Sequence, residues 1–270
     1  MQHITGTIIT FNEEDQIEAC IASLQRVCDD VVVVDSLSTD RTVELAIAAG
    51  ALVIPQAYLG EGPQRNLTEK HAAHDWILAL DADERLDDEL AEAIRLLPLN
   101  DPADAYAFNR KSYVGPRWIR GPGFYPDFVT RLYNRTRAAY EPKPGHAGVL
   151  APRVRRIPGH ILHYTYDGLS DWIAKINWLT SRDAQGMFNA GRPASATKPV
   201  VSALAAGFRQ LILRGGVFRG TDGWLVTMTS MFRSFMKYEK LNELHEQQRR
   251  GGPPASDGLQ LGHIRGTERP

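Results

Sequence analysis

The chain has 270 residues, 43% hydrophobic and 23% charged, with 31 Lys or Arg against 32 Asp or Glu. That length and apolar content suit a sizeable globular core, and a net charge of -1 gives no general basis for nucleic-acid binding. Cys20 and Cys28 have neither metal-ligand nor redox spacing and read as reduced thiols of a cytoplasmic protein; no secretory leader and no membrane span are expected.

Residues 4–10, rich in Ile and Thr, predict a short strand. Asn12 is placed to cap the next helix, whose Ile17, Cys20, Ile21 and Leu24 follow helical spacing. Four valines and Asp35 predict a second strand at 31–35. Asp40 is a cap for a helix over 42–49, which Gly50 ends. A third strand is expected at 51–54, and the stretch from Gly60 to Asn66 leads into another helix. Trp76-Ile77-Leu78-Ala79-Leu80 is an apolar run of the kind buried on both faces of a parallel sheet. Strand and helix alternating with short turns imply right-handed crossovers and an α/β fold built on a mostly parallel sheet.

That apolar run leads straight into Asp81-Ala82-Asp83-Glu84. Open α/β sheets bind ligands at the carboxyl ends of their strands. Two carboxylates one residue apart at such a place suit a hard divalent cation, Mg2+ or Mn2+, with water and substrate phosphates completing its shell. A solvated acidic turn opening a helix over 87–97 is the plainer reading. The same sheet edge gathers Thr10, Glu14, Asp35, Asp40, Arg65 and Asn66, a set that supports a nucleotide site. Structural roles compete: Asp40 as a cap, Glu14 as a first-turn acid, Arg65 paired with Glu61 or Glu69. Asp35 is harder to assign to structure, because an unpaired buried acid is costly. There it can accept hydrogen bonds from a base or ribose.

Taken in order, Ile8-Ile9-Thr10-Phe11-Asn12-Glu13-Glu14, Val33-Val34-Asp35-Ser36-Leu37-Ser38-Thr39-Asp40-Arg41-Thr42, Gln64-Arg65-Asn66 and Leu80-Asp81-Ala82-Asp83-Glu84 resemble the inverting family-two glycosyltransferases. Their GT-A fold is a Rossmann-like, mostly parallel sheet with helices on both faces. Within the family the likeness is to the bacterial branch that builds the lipopolysaccharide inner core, including its β-1,4-glucosyltransferases. The resemblance implies a UDP-sugar donor such as UDP-glucose, a divalent metal, and a glycan or glycolipid acceptor at the inner face of the cytoplasmic membrane. It also implies that Thr10, Glu14 and Asp35 hold the nucleoside, that Arg65 and Asn66 lie near the sugar diphosphate, and that Asp81 lies near ribose and metal. Asp83 would ligate the metal. Leu37 stands where the family usually has glycine, so the turn is expected to differ locally.

Beyond residue 100 the alternation breaks. Strands are expected at 106–110 and 128–133, joined by a Gly- and Pro-rich loop whose Trp118 is either acceptor surface or a small satellite core. Arg110, Lys111, Arg117, Arg120, Arg131, Arg135 and Arg137 make this section basic, suiting a phosphorylated acceptor or simply forming a solvated face. Inverting transfer needs one base for the acceptor hydroxyl. By the resemblance, Asp127 in Tyr125-Pro126-Asp127-Phe128 is the first candidate. Relatives often carry Val-His-Glu further on; here the matching stretch is Pro144-Gly145-His146-Ala147-Gly148, which leaves Glu141 and His146 as substitutes. His163, in a strand expected at 160–166, matches a family histidine and either approaches the diphosphate or metal or is structural.

A helix is expected from about residue 169, a linker at 193–199 and two more helices at 201–214 and 223–245. Between Lys198 and Lys240, seven basic and two acidic residues interleave with large apolar ones such as Phe208, Phe218 and Trp224. This suits helices lying in the interface of an anionic membrane, or else a packing or dimer face. The organisation expected is a nucleotide-sugar half at 1–100, an acceptor half at 101–166, a helical region at 167–250 and a disordered tail at 251–270. Two other functions stay open. A sugar-nucleotide pyrophosphorylase would share sheet and metal but needs a Gly- and Arg-rich phosphate loop, absent from 10–17. A non-catalytic membrane-associated sugar-binding protein would need neither metal nor base.

Overall fold

The computed structural model describes residues 3–99, 103–143 and 145–251, so the tail expected at 251–270 lies, beyond Gly251, outside the described residues. In chain order the elements are β1 (Ile4–Thr10), α1 (Ile17–Leu24), β2 (Asp30–Asp35), α2 (Thr42–Ala48), β3 (Leu52–Pro55), α3 (Glu61–Glu69), β4 (Trp76–Asp81), β5 (Glu84–Leu86), α4 (Asp88–Arg95), β6 (Ala105–Val114), β7 (Arg117–Trp118), β8 (Phe128–Asn134), β9 (Ala139–Tyr140), β10 (Val149–Leu150), β11 (Val154–Tyr166), α5 (Leu169–Asn189), α6 (Lys198–Phe208) and α7 (Gly220–Arg249). The described residues fall into two compact units, one made of residues up to Tyr113 together with Pro126–Thr165, the other of Val114–Tyr125 and residues 166–251.

The first unit is a sheet in the order β3-β2-β1-β4-β8-β6-β11-β5. Its first four strands are parallel, and β8 joins β4 antiparallel. The parallel half forms because its strands are apolar on both faces: every residue of β1 is buried, as are Val31, Val32, Val33 and Val34 of β2 and Ile77, Leu78, Ala79 and Leu80 of β4. Ile17, Cys20, Ile21 and Leu24 of α1, spaced to share one face, are completely buried in the same core. Each such aliphatic side chain contributes about 1.5–3 kcal/mol on burial. Register does the rest. Thr10 pairs with Asp35 and Ile9 with Asp81, so the polar ends of three strands emerge along one edge.

Several local expectations are corrected. Asn12 does not cap α1, which starts at Ile17; its backbone is left-handed (φ 52°) and its side-chain oxygen accepts the Thr39 amide at 2.8 Å. Asp40 accepts the Thr42 amide at 2.9 Å from one residue outside the cap position, which Arg41 occupies. The Gly60–Asn66 stretch is not a lead-in but the helix itself, from Glu61. Pro63 is tolerated in that first turn, where its missing N–H would have no partner. Gly62 is required there, since a Cβ would meet the Glu141 carbonyl oxygen at 1.8 Å. The acidic turn after Asp83 is a strand, β5, whose Glu84 pairs with His163 of β11. The helix that follows starts at Asp88, capped by Asp87 through the Leu90 amide at 2.9 Å.

The second unit has its own apolar core of Val114, Ile119, Trp172, Ile176 and Val226. Ile119, and not Trp118, enters that core; Trp118 is half-buried, edge-on to Tyr125 and covered by the Arg120 guanidinium at 4.1 Å. Helix α6 begins at Lys198, inside the expected linker, and runs into a wider π turn over Arg209–Leu213. It approaches α7 closely at Gly207, where a Cβ would lie 2.7 Å from the Met231 sulfur. The Lys240 ammonium of α7 donates to Asn177, Thr180 and Ser181 of α5 at 2.5–2.9 Å. Among the described residues no helix is long and apolar enough to cross a membrane.

Candidate active site

Two loops at the carboxyl ends of β1 and β2 are laced together. The Asn12 amide donates to Ser38 Oγ at 2.9 Å, the Glu14 amide to Asp40 at 3.2 Å, and the Arg41 amide to Glu14 at 3.2 Å. Asp35 is buried and accepts the Ser38 amide at 2.8 Å and the Ser38 hydroxyl at 2.5 Å. This turn brings Leu37 to φ 67°. The glycine-like backbone is therefore kept despite the leucine, and the chain bears the strain of a left-handed non-glycine residue. Thr10 Oγ1 is buried and has no hydrogen-bond partner among the described residues. A buried hydroxyl without a partner is costly, which fits a ligand's polar atom reaching this edge.

Beside these loops lies a chain of alternating charges. Arg65 and Arg131 hold the two carboxylate oxygens of Asp81, the latter at 2.5 Å. Arg131 also reaches Glu84 at 2.8 Å, Glu84 takes Arg110 at 3.2 Å, and Arg110 holds Asp127 at 2.8 Å. Glu84 is fully buried, and its second oxygen accepts the Asp81 amide at 3.0 Å. With Glu61 3.6 Å from Arg65, three guanidiniums thus face four carboxylates. Burial is the largest single influence on Arg65 and Arg131 and works against their charge. Asp81 with Tyr140 and Glu61 around Arg65, and Asp81 with Glu84 and Tyr140 around Arg131, together outweigh it, so both stay protonated beyond the ordinary arginine range. Asp81 and Asp127 belong to one connected network through Arg131, Glu84 and Arg110. Sequence reasoning missed Glu84, which looked like part of an acidic turn. The sequence left Arg110 and Arg131 as either acceptor-facing or part of a solvated face, and they are neither: both are committed to acids. Arg135 and Arg137 are likewise paired, with Asp75 and Asp104.

Asp83 meets His163 Nε2 at 3.1 Å, and the His163 Nδ1 lies 3.0 Å from Thr165 Oγ1. Burial depresses the imidazole, but the charge and hydrogen bond of Asp83 more than offset it, so its pKa is raised above the usual histidine value. The Asp83 carboxylate in the turn after β4, with the His163 imidazole of β11 beside it, fits a divalent cation: Mn2+ can take both oxygen and nitrogen, Mg2+ the oxygen. Asp81 fits that role less well, since its oxygens already serve two guanidiniums.

Among the remaining sequence candidates, Asn66 exchanges two hydrogen bonds with the backbone of Tyr140, each 3.0 Å. Glu141 sits by Lys143 at 2.6 Å, which together with the Gly148 amide holds its carboxyl below the usual range. His146 is fully exposed, 3.8 Å from Glu61. Glu141 does not join the network that contains Asp127, and His146 touches only its far end, through Glu61, which lies 3.6 Å from Arg65.

The sequence model for glycosyl transferase family 2 matches residues 7–156, more than half of the chain. The chain belongs to glycosyl transferase family 2. It is thus a GT-A glycosyltransferase of an inverting family, and the pyrophosphorylase alternative is set aside. Relatives agree over nearly the whole length. An uncharacterized glycosyltransferase of Rickettsia bellii is 30% identical, covering 90% of this chain and 87% of its own. The lipopolysaccharide core biosynthesis glycosyltransferase LpsC of Rhizobium meliloti is 28% identical, covering 95% and 97%. Among solved structures, S. aureus TarS in complex with UDP-GlcNAc is 14% identical with a TM-score of 0.49, covering 93% of each chain. Glucosyl-3-phosphoglycerate synthase of Mycobacterium tuberculosis, in complex with Mn2+, UDP-glucose and phosphoglyceric acid, is 26% identical over 42% of this chain and 44% of its own, with a TM-score of 0.33.

Proposed function

We propose that this family-2 transferase moves a sugar, glucose in the first instance, from UDP to a lipopolysaccharide-core or related glycan acceptor, with inversion. The observation that carries the reading is the convergence at one sheet edge of Asp83 with His163, and of Asp127 held by Arg110 in the network that begins at Asp81. The lipopolysaccharide acceptor follows the likeness to LpsC.

Thr10, Glu14 and Asp35 would receive the nucleoside, and Arg65 with Asp81 would border the ribose and diphosphate. Asp83, with His163 beside it, would hold a divalent metal, whose positive charge stabilises the diphosphate as it leaves. Asp127 takes the proton from the acceptor hydroxyl as that oxygen attacks the anomeric carbon and the bond to the diphosphate breaks. Asp127 is preferred over Glu141 and His146 because Arg110 fixes its orientation. On this reading residues 1–100 serve the donor and 101–166 the acceptor.

The helical unit is proposed to rest on the inner face of the cytoplasmic membrane. Val201, Leu204 and Phe208 of α6, Phe218, and Trp224, Met228, Phe232 and Phe235 of α7 are all exposed. With the exposed Arg209, Arg214 and Arg219 among them, they suit an anionic lipid surface. Sedimentation with anionic vesicles should bring down the wild type and leave a Phe208→Ser/Phe218→Ser variant in solution; equal sedimentation contradicts the placement.

The direct test is incubation with a panel of UDP-sugars, Mn2+ and truncated lipopolysaccharide. Metal-dependent transfer of glucose with inverted anomeric configuration is expected. Transfer of no sugar in the panel, by folded protein, would overturn the reading.

A further inference from the structure

At the opposite end of the parallel strands from the catalytic edge, three segments bring together residues that the transferase reading leaves unused. His3 immediately precedes β1, Asp29 precedes β2, and His74 lies in the loop before β4. Because β1 is flanked by β2 and β4 in the sheet, with Thr5 opposite both Asp30 and Ile77, the amino ends of these strands are neighbours. One ligand atom from each of His3, Asp29 and His74 lies within 4.8 Å of the others. The two imidazole rings stack with centroids 5.0 Å apart, and His3 Nδ1 is 3.2 Å from Asp29 Oδ1.

The carboxylates are oriented by the backbone and its neighbours, and not by chance surface contact. Asp29 Oδ2 accepts the Ile4 amide at 2.9 Å, which leaves Oδ1 turned to the histidine. Asp30 Oδ1 accepts the Thr5 hydroxyl at 2.8 Å and lies 3.5 Å from His74 Nε2. The Thr5 hydroxyl in turn accepts the His74 amide at 3.1 Å, which ties the His74 loop to β1. Two imidazoles and a carboxylate, with a second carboxylate beside one imidazole, form the mixed nitrogen and oxygen donor set that borderline divalent metals favour. His3 and Asp29 are exposed, so an ion can enter from solvent. A hard ion such as Mg2+ would gain little from the imidazoles.

We propose that His3, Asp29 and His74 form a second metal site, selective for a borderline transition ion of the Zn2+ class, with Asp30 supporting His74. The site clips the starts of β1, β2 and β4 together and is separate from the metal assigned to Asp83. It takes no part in sugar transfer.

The test uses tag-free full-length protein stripped with chelator and titrated with ZnCl2 by calorimetry, with Co2+ visible absorption as a readout of ligand geometry. The Asp83→Ala background keeps any ion at the catalytic edge out of the count. One Zn2+ per chain is expected in that background, with a Co2+ ligand-field band and a rise in Tm on adding Zn2+. His3→Ala and His74→Gln should each abolish the band and the rise, and Asp30→Asn should weaken binding roughly tenfold. His3→Ala changes an exposed side chain ahead of β1, so it tests the site even if a change at His74 disturbs the loop. Absence of Zn2+ binding, or binding and Co2+ spectra unchanged by His3→Ala and His74→Gln, would overturn the proposal whether or not the protein transfers sugar.

Discussion

Arg110 holds Asp127 through two nitrogens on one oxygen: Nε and Nη2 lie 2.9 and 2.8 Å from Oδ2, while Nη1 reaches Glu84. Oδ1 of Asp127 accepts no hydrogen bond from any described residue. The carboxylate is thus fixed in direction with one oxygen left to meet a hydroxyl. Asp127→Asn keeps that shape and removes the base, so kcat should fall by about 10²–10⁴. UDP affinity should not change. Steady-state rates with calorimetric UDP binding check this; equal loss in both would make Asp127 structural.

Glu84 has no access to solvent and depends on Arg131 and Arg110 for its charge balance. Removing one member of a buried ion pair leaves the other uncompensated, at a cost of about 3–5 kcal/mol. Arg131→Met should therefore lower the urea midpoint by an amount equivalent to that loss, with the m-value unchanged. A loss below about 1 kcal/mol, the size typical of exposed pairs, would mean that water reaches the network.

Leu37 occupies a left-handed backbone position at φ 67°. Such a conformation costs a non-glycine residue roughly 1–2 kcal/mol, part of which glycine forfeits through its freedom when unfolded. Leu37→Gly should stabilise the fold by about 0.5–1 kcal/mol in urea titrations, since more than half of the leucine side chain is exposed and little packing is lost. Destabilisation would show that Leu37 packs against something its exposure conceals.

Burial pushes the Glu69 carboxyl above its ordinary value of 4.5, and the Tyr133 hydroxyl and Arg135 pull it only part of the way back. An acid whose folded pKa is raised binds its proton more tightly when folded. Its stabilising contribution is thus full below that ordinary value and is lost as pH rises through the folded pKa. Glu69→Gln keeps an acceptor for the Tyr133 hydroxyl, now 2.8 Å from Glu69. It should flatten the fall in stability between pH 4.5 and neutrality. Parallel pH profiles for wild type and variant would refute the assignment.

The parallel half of the sheet was legible because burial on both faces leaves an unbroken apolar run, as in 31–34 and 77–80. Asp35 and Asp81 came with it, since each closes such a run. Other features depend on partners far away in the chain. Glu84 became part of β5 through pairing with β11, and a three-residue strand carries no periodicity of its own. The length of β11 was hidden because its first half is largely exposed and follows no alternation. The pairing of Arg110 and Arg131 with acids required the strand order β4-β8-β6, which no local signal encodes. Gly62 and Pro63 suggested a loop at the start of α3, where close approach of the Glu141 backbone demands the glycine.

Titration calorimetry of UDP and UDP-glucose, with and without Mn2+, on wild type and Asp83→Ala tests the central claim most directly. Binding that needs Mn2+ in the wild type and disappears in folded Asp83→Ala is the result predicted. Binding that is independent of metal, or unchanged by the substitution, would contradict the assignment of Asp83 and with it the proposed donor site.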